Sequence, residues 1–205
     1  MKSKICGIKD KKTLKYILNH SYPPEFIGFI CNYKKSKRFI KFNKLKELTF
    51  AKKKKSKFVA VLVKPSNEEI KKISKLPIDY FQLYDMKPDE IKLIKNKYKK
   101  KIIVALTIEK KDDVKKYKKY KDIADIFLFD SKGYEKSLSY SHSYLKGLPS
   151  NLKKMIAGNI QIKDLKKLKN SSFIIDVSGA LEDKEGIKNI NKIDKFLNTV
   201  HNINS

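Results

Sequence analysis

Nine residues that can move protons, grip anions or shape a tight turn stand at or just past the ends of short apolar runs. They are Cys6, Arg38, Gln82, Asp130, Ser131, Gly158, Asn159, Asp176 and Ser178. A thiol and two carboxyls can take and give protons once their surroundings adjust their acidity. A guanidinium meets a carboxylate or phosphate through a planar fork, and glycine lets the backbone approach an anion closely. Each residue also has a plain structural reading. A cysteine is commonly a small buried hydrophobe, a strand-end aspartate a turn residue, and an arginine a surface cation. The regular recurrence of such residues gives the set its meaning.

The runs are KSKICGI (2 to 8), EFIGFIC (25 to 31), KFVAVLVK (57 to 64), IDYFQLY (78 to 84), KIIVALTI (101 to 108), ADIFLFDS (124 to 131), KMIAGNI (154 to 160) and FIIDVSGALE (173 to 182). Each leads into a Lys-rich segment of helical period, expected at about 11 to 20, 42 to 53, 67 to 75, 88 to 99, 111 to 121, 139 to 146, 162 to 169 and 189 to 201. Asp10 before the first, Ser66 with Glu69 before the third, and Pro88 opening the fourth are helix-start signals. Strands apolar on both parities are those of a sheet buried on both faces. Eight such units, with no GxGxxG turn after the first run, favour an α/β (β/α)8 TIM barrel over an open doubly wound sheet. With no linker-like segment, residues 1 to 205 read as one domain. In a barrel the C-terminal ends of all eight strands meet at one face, which brings the nine residues together.

A net charge of +27 invites a nucleic-acid reading, but the lysines are spread over every helical segment rather than gathered in a stripe. Arg38 is the sole arginine among 49 basic residues, whereas phosphate and base readers lean on arginine. No nucleic-acid or membrane partner is expected. No apolar stretch approaches a membrane span, no secretory leader is apparent, and a cytoplasmic setting follows. Cys6 and Cys31 fit no zinc or disulfide pattern. His20, His142 and His201 stand at no strand end, so no metal site is expected.

The ordered pieces KICGI, GFI followed by KKSKR, FVAVLV, QL, FDS, IAGNI, IDVSGALE and EGIKNINKIDKFL resemble phosphoribosylanthranilate isomerase over Lys4 to Leu197. That family is a barrel enzyme of tryptophan biosynthesis. The resemblance implies an Amadori rearrangement of N-(5-phosphoribosyl)anthranilate to 1-(2-carboxyphenylamino)-1-deoxyribulose 5-phosphate, with no cofactor. It implies Cys6 as general base, Asp130 as general acid, and Arg38 on the anthranilate carboxylate. Gln82 and Asp176 would line the substrate site, and Gly158, Asn159, Ser178 and Gly179 would shape the phosphate loops. A monomer or homodimer is expected, a choice the sequence leaves open.

The chain departs from the family at four places. Gly158-Asn159 stands for Gly-Gly, and Ser178-Gly179-Ala180 for Ser-Ser-Gly. Tyr84-Asp85 stands for His-Gly, and Tyr134, Glu135, Lys136 and Ser137 for a glycine-rich loop. Two rival readings remain: a related phosphosugar isomerase or epimerase, and a catalytically inactive lysine-rich barrel that serves as a binding module.

Overall fold

Eight parallel strands close on themselves in sequence order, with the last hydrogen-bonded to the first. They are β1 (Lys2–Cys6), β2 (Phe26–Ile30), β3 (Lys57–Val63), β4 (Tyr80–Tyr84), β5 (Lys101–Thr107), β6 (Ile126–Asp130), β7 (Lys154–Ile156) and β8 (Ile174–Val177). The computed structural model describes residues 1–131, 140–169 and 172–204. The segment from 132 to 137, which includes the departures at Tyr134, Glu135, Lys136 and Ser137, lies outside the described residues.

Strand parity sorts the side chains into two buried layers. Val59 and Val61, Ile103 and Ala105, Ile126 and Leu128, and Met155 fill the barrel axis. The opposite parity, including Phe58, Ala60, Leu62, Ile102, Val104, Phe127 and Phe129, packs beneath Leu14, Ile17, Leu45, Leu48, Ile70 and Ile73 of the helices. Each fully buried Val, Leu, Ile, Phe or Met among them contributes roughly 1.5–3 kcal/mol of hydrophobic stabilisation. The bottom of the axis is plugged by Phe26 against Tyr80, edge to face at 5.4 Å. Chemistry is thereby left to the open upper end.

The expected helices form in the first half as α1 (Lys11–Asn19), α2 (Phe42–Thr49), α3 (Asn67–Ser74) and α4 (Pro88–Tyr98), and α5 (Ile190–Asn204) closes the ring. Asp10 accepts the Thr13 N-H at 2.8 Å. Ser66 and Glu69 form the reciprocal capping box, and Pro88 occupies the first turn of α4.

The second half differs. The helices expected at 111 to 121, 139 to 146 and 162 to 169 are 3-10 helices at Lys111–Tyr120, His142–Leu145 and Ile162–Leu168, and residue 139 is outside the described set. Each buries a single residue, respectively Val114, Leu145 and Leu165. So narrow an apolar face gives little packing energy to hold an α-helix, and the lysine crowding of KKYKKYK adds like-charge repulsion.

The eighth run is shorter as a strand than expected. After β8 the chain forms a 3-10 turn, Gly179–Leu181, and then an antiparallel hairpin of β9 (Glu182–Lys184) and β10 (Ile187–Lys188). The hairpin turn needs Gly186: its φ is +82°, and a β-carbon there would run into the Lys37 carbonyl. Glycine thus lets the hairpin press on the loop that carries Arg38. No helix among the described residues is long and apolar enough to cross a membrane.

Candidate active site

A cavity opens at the C-terminal end of the barrel, and all the residues expected at the site line it: Cys6, Arg38, Gln82, Asp130, Ser131, Gly158, Asn159, Asp176, Ser178 and Gly179. The cavity is bounded by two unlike walls.

On the first wall, β1 turns Lys4 and Cys6 toward the axis. Lys4 is wholly buried, and its ammonium donates to Asp176 Oδ2 at 2.6 Å. The two residues are register partners on β1 and β8. On neighbouring β2, Gly28 leaves the room they need, since a β-carbon there would lie 2.8 Å from Cys6 Sγ and 3.1 Å from Lys4 Cε. Burial pushes the Cys6 thiol up, Lys4 and Lys188 pull it back, and Asp176 adds to the rise. Cys6 is therefore protonated in the resting site and must lose its proton before it can act as a base. Cys31, just beyond β2, is pushed far up by burial and lies outside the cavity lining.

Arg38 is more than a surface cation. Its Nε and Nη2 donate to the two carboxylate oxygens of Glu182 at 2.7 and 2.8 Å, and its side chain is 14% exposed. Lys188 donates to the same carboxylate at 2.6 Å and to the Ser178 carbonyl at 3.0 Å. Burial opposes the charge on Glu182, but Arg38, Lys188 and the Gly186 N-H prevail and hold its carboxyl down at about 2. The fork is thus held in one orientation beside the cavity. Gly7 permits the approach, with φ +80° and the Arg38 Cδ 2.7 Å from where a β-carbon would lie.

The opposite wall carries one carboxyl and neutral donors. Asp130 ends β6 and accepts from the Tyr84 hydroxyl at 2.9 Å, and the Gln82 amide donates to that same hydroxyl at 3.1 Å. Burial raises the Asp130 carboxyl to about 7 against the Tyr84 hydrogen bond, and the negative charge of Asp176 contributes to the rise. Such an acid can hold its proton near neutrality and release it there.

Gly158 and Asn159 both have positive φ, 100° and 52°, so the asparagine adopts the left-handed backbone that this residue tolerates. Ser178 donates its hydroxyl to the Cys6 carbonyl at 3.0 Å, which ties β8 to β1. Three buried polar atoms at the cavity, Gln82 Oε1, Ser131 Oγ and Asp176 Oδ1, have no hydrogen-bond partner among the described residues. Buried polar groups are seldom left so, and these suit the hydroxyls of a bound polyol. No cluster of metal-ligating side chains occurs among the described residues.

Four residues of the site were not singled out as binding or catalytic from sequence: Lys4, Tyr84, Glu182 and Lys188. Lys4 shares strand parity with Cys6, and Tyr84 with Gln82, which is the signal that could have found them. Glu182 and Lys188 meet only because of the hairpin.

Residues 3–199 match the family described as N-(5'-phosphoribosyl)anthranilate (PRA) isomerase. A curated N-(5'-phosphoribosyl)anthranilate isomerase of Rhizobium johnstonii is 32% identical over 216 residues, covering 98% of this chain and 95% of that protein. Among solved structures, phosphoribosyl anthranilate isomerase from Thermotoga maritima superposes with a TM-score of 0.85 at 21% identity, covering 98% of this chain and 99% of that one. A phosphoribosyl anthranilate isomerase in complex with reduced 1-(o-carboxyphenylamino)-1-deoxyribulose 5-phosphate does so at 0.82 and 20% identity, covering 98% and 99%. These likenesses carry the fold, and the sequence match carries the lineage: the chain belongs to the phosphoribosylanthranilate isomerase family.

Proposed function

We propose that this cavity isomerises N-(5-phosphoribosyl)anthranilate to 1-(2-carboxyphenylamino)-1-deoxyribulose 5-phosphate, with Asp130 as general acid and Cys6 as general base. The observation that carries this assignment is the shared cavity of a carboxyl raised to about 7 and, across it, a thiol with a buried ammonium for company. Asp130 gives its proton to the furanose ring oxygen. The C1–O bond breaks as the nitrogen lone pair forms the C1=N bond. Cys6, as thiolate, takes the proton from C2, and the electrons of that bond form C1=C2 while the nitrogen regains its pair. Tautomerisation of the resulting enolamine to the C2 ketone places a proton on C1. Every step is a proton transfer between substrate and protein or solvent, so the proposed reaction calls for no cofactor.

Arg38 meets the anthranilate carboxylate with the edge of its fork that Glu182 leaves open. Gln82 and Asp176 bind sugar hydroxyls through their unpartnered oxygens. The loops of Gly158-Asn159 and Ser178-Gly179 surround the phosphate, where loops after the seventh and eighth strands of such barrels commonly place one. We place the activity in the cytoplasm, on a small-molecule substrate, with the chain as monomer or homodimer and with no nucleic-acid partner.

The test is turnover. Purified protein given N-(5-phosphoribosyl)anthranilate should produce a species of unchanged mass that carries a ketone at C2. Binding without conversion would instead support the inactive-barrel reading.

A further inference from the structure

An ammonium at the axis of a barrel is expensive to bury, and a buried ion pair is commonly no more stabilising than apolar side chains of similar volume. The axis beside Lys4 is otherwise filled by Val59, Ile103, Leu128 and Met155, so packing alone does not explain a lysine there. Its surroundings do. Lys4 is clamped to Asp176 at 2.6 Å. It precedes Cys6 by two residues on the same strand and face, and it shares with Cys6 the notch left by Gly28.

We propose that Lys4 is a positioning residue for the isomerisation: held by Asp176, its ammonium supplies the positive charge beside which the Cys6 thiolate forms. The inference rests on Cys6 acting as the base. The charged and titratable groups that bear on Cys6 are Lys4 on its own strand, Asp176 on β8, Lys188 on β10, Arg38 beyond β2, Tyr84 on β4 and Cys31 after β2. Of the charges acting on the thiol, that of Lys4 is the strongest in favour of ionisation, and Asp176 opposes it. The clamp thus does two opposed things: it keeps Lys4 charged, and its own charge limits how far Lys4 can favour the thiolate.

That opposition gives a test by sign. In a Cys31→Ser background, the ultraviolet absorbance of the thiolate is titrated for the unliganded protein, for Lys4→Met and for Asp176→Asn. Lys4→Met should move the Cys6 midpoint up by roughly one pH unit or more, and Asp176→Asn should move it down. In kinetics, Lys4→Met should lose roughly tenfold or more in rate near neutrality, and that loss should shrink as pH rises past the wild-type midpoint. A midpoint unmoved by Lys4→Met, or a rate loss that is the same at every pH, overturns the proposal. Should Lys4→Met fail to fold, Lys4→Gln, which keeps a polar chain against Asp176 without the charge, decides: a midpoint that stays or falls overturns it. Wild-type turnover is measured separately. Shifts of the expected sign in a chain that does not turn over the substrate would remove the isomerase reading and leave the Lys4 effect standing.

Discussion

The two walls of the cavity handle charge in opposite ways. On the β1, β8 and hairpin side, Lys4, Arg38 and Lys188 stand with Asp176 and Glu182 in short ion pairs. Across the mouth, on β4 and β6, Asp130 has for partners a phenol and, behind it, an amide. Cations beside a thiol favour the form that can take a proton, whereas burial, with the negative charge of Asp176 adding to it, lets Asp130 keep the proton it must give. Acid and base are thus separated by the company they keep more than by the groups themselves.

The two walls also set the pH dependence. A thiol pushed above its ordinary value and a carboxyl at about 7 place the base above the acid. The working combination of thiolate and protonated carboxyl is then a minor one. Its population rises with pH up to about 7, stays level to the thiol midpoint and falls beyond it. The two bends belong to the coupled pair.

The largest expected effect comes from removing the base. Cys6→Ser puts a hydroxyl that essentially cannot ionise in place of the thiol, so kcat should fall by about 100-fold or more in folded protein. A serine variant with near-wild-type turnover would empty the charged wall of its purpose.

Arg38→Lys tests the same wall at its rim. Exchanging a fork for a point charge should lose a charge-assisted contact worth about 1.5 to 3 kcal/mol. The loss should fall mainly on KM, since the contact holds ground and transition states alike. Unchanged kinetics would show that the fork serves only Glu182.

A smaller effect belongs to the neutral wall. Tyr84→Phe removes the hydrogen bond that lowers Asp130, so the bend in kcat/KM at about 7 should move to higher pH. Kinetics across pH would show it, and a bend that moves down would mean that the phenol stabilises the protonated acid instead.

The smallest concerns stability. The Glu182 carboxyl is held below its unfolded value, at about 2 against 4.5. The folded state therefore binds fewer protons than the unfolded one in that window. The group's contribution is fully present above about 4.5 and is lost as pH falls toward 2. Glu182→Gln lacks this dependence, so its acid-unfolding profile should be flatter there than that of the wild type. Equal slopes would mean that the Arg38 clamp contributes little to stability.

Most of the fold and much of the site were legible in the residues. The position of Cys6, Asp130 and Asp176 at the ends of apolar runs placed them at one face once the runs were counted as parallel strands. Asn159 was recognisable as a residue suited to a left-handed turn. Lys4 was not, because one lysine among so many carries no signal by type; only its parity with Cys6 does. Glu182 and Lys188 depend on a hairpin made possible by Gly186, a tertiary contact that no local pattern records. The segments 111–120 and 162–168 show helical period, but the choice between α and 3-10 turns on how much each can bury, which periodicity does not report.

The account rests most directly on Asp130, and the measurement is single-turnover conversion of C2-deuterated N-(5-phosphoribosyl)anthranilate across pH by wild type and Asp130→Asn. The wild type should show a primary isotope effect and a rate that levels off at about 7. Asp130→Asn should be slower by about 100-fold or more and should keep rising through that pH to the thiol midpoint. An asparagine variant that turns over at near the wild-type rate, or one that still levels off at the same pH, would contradict the assignment of acid and base.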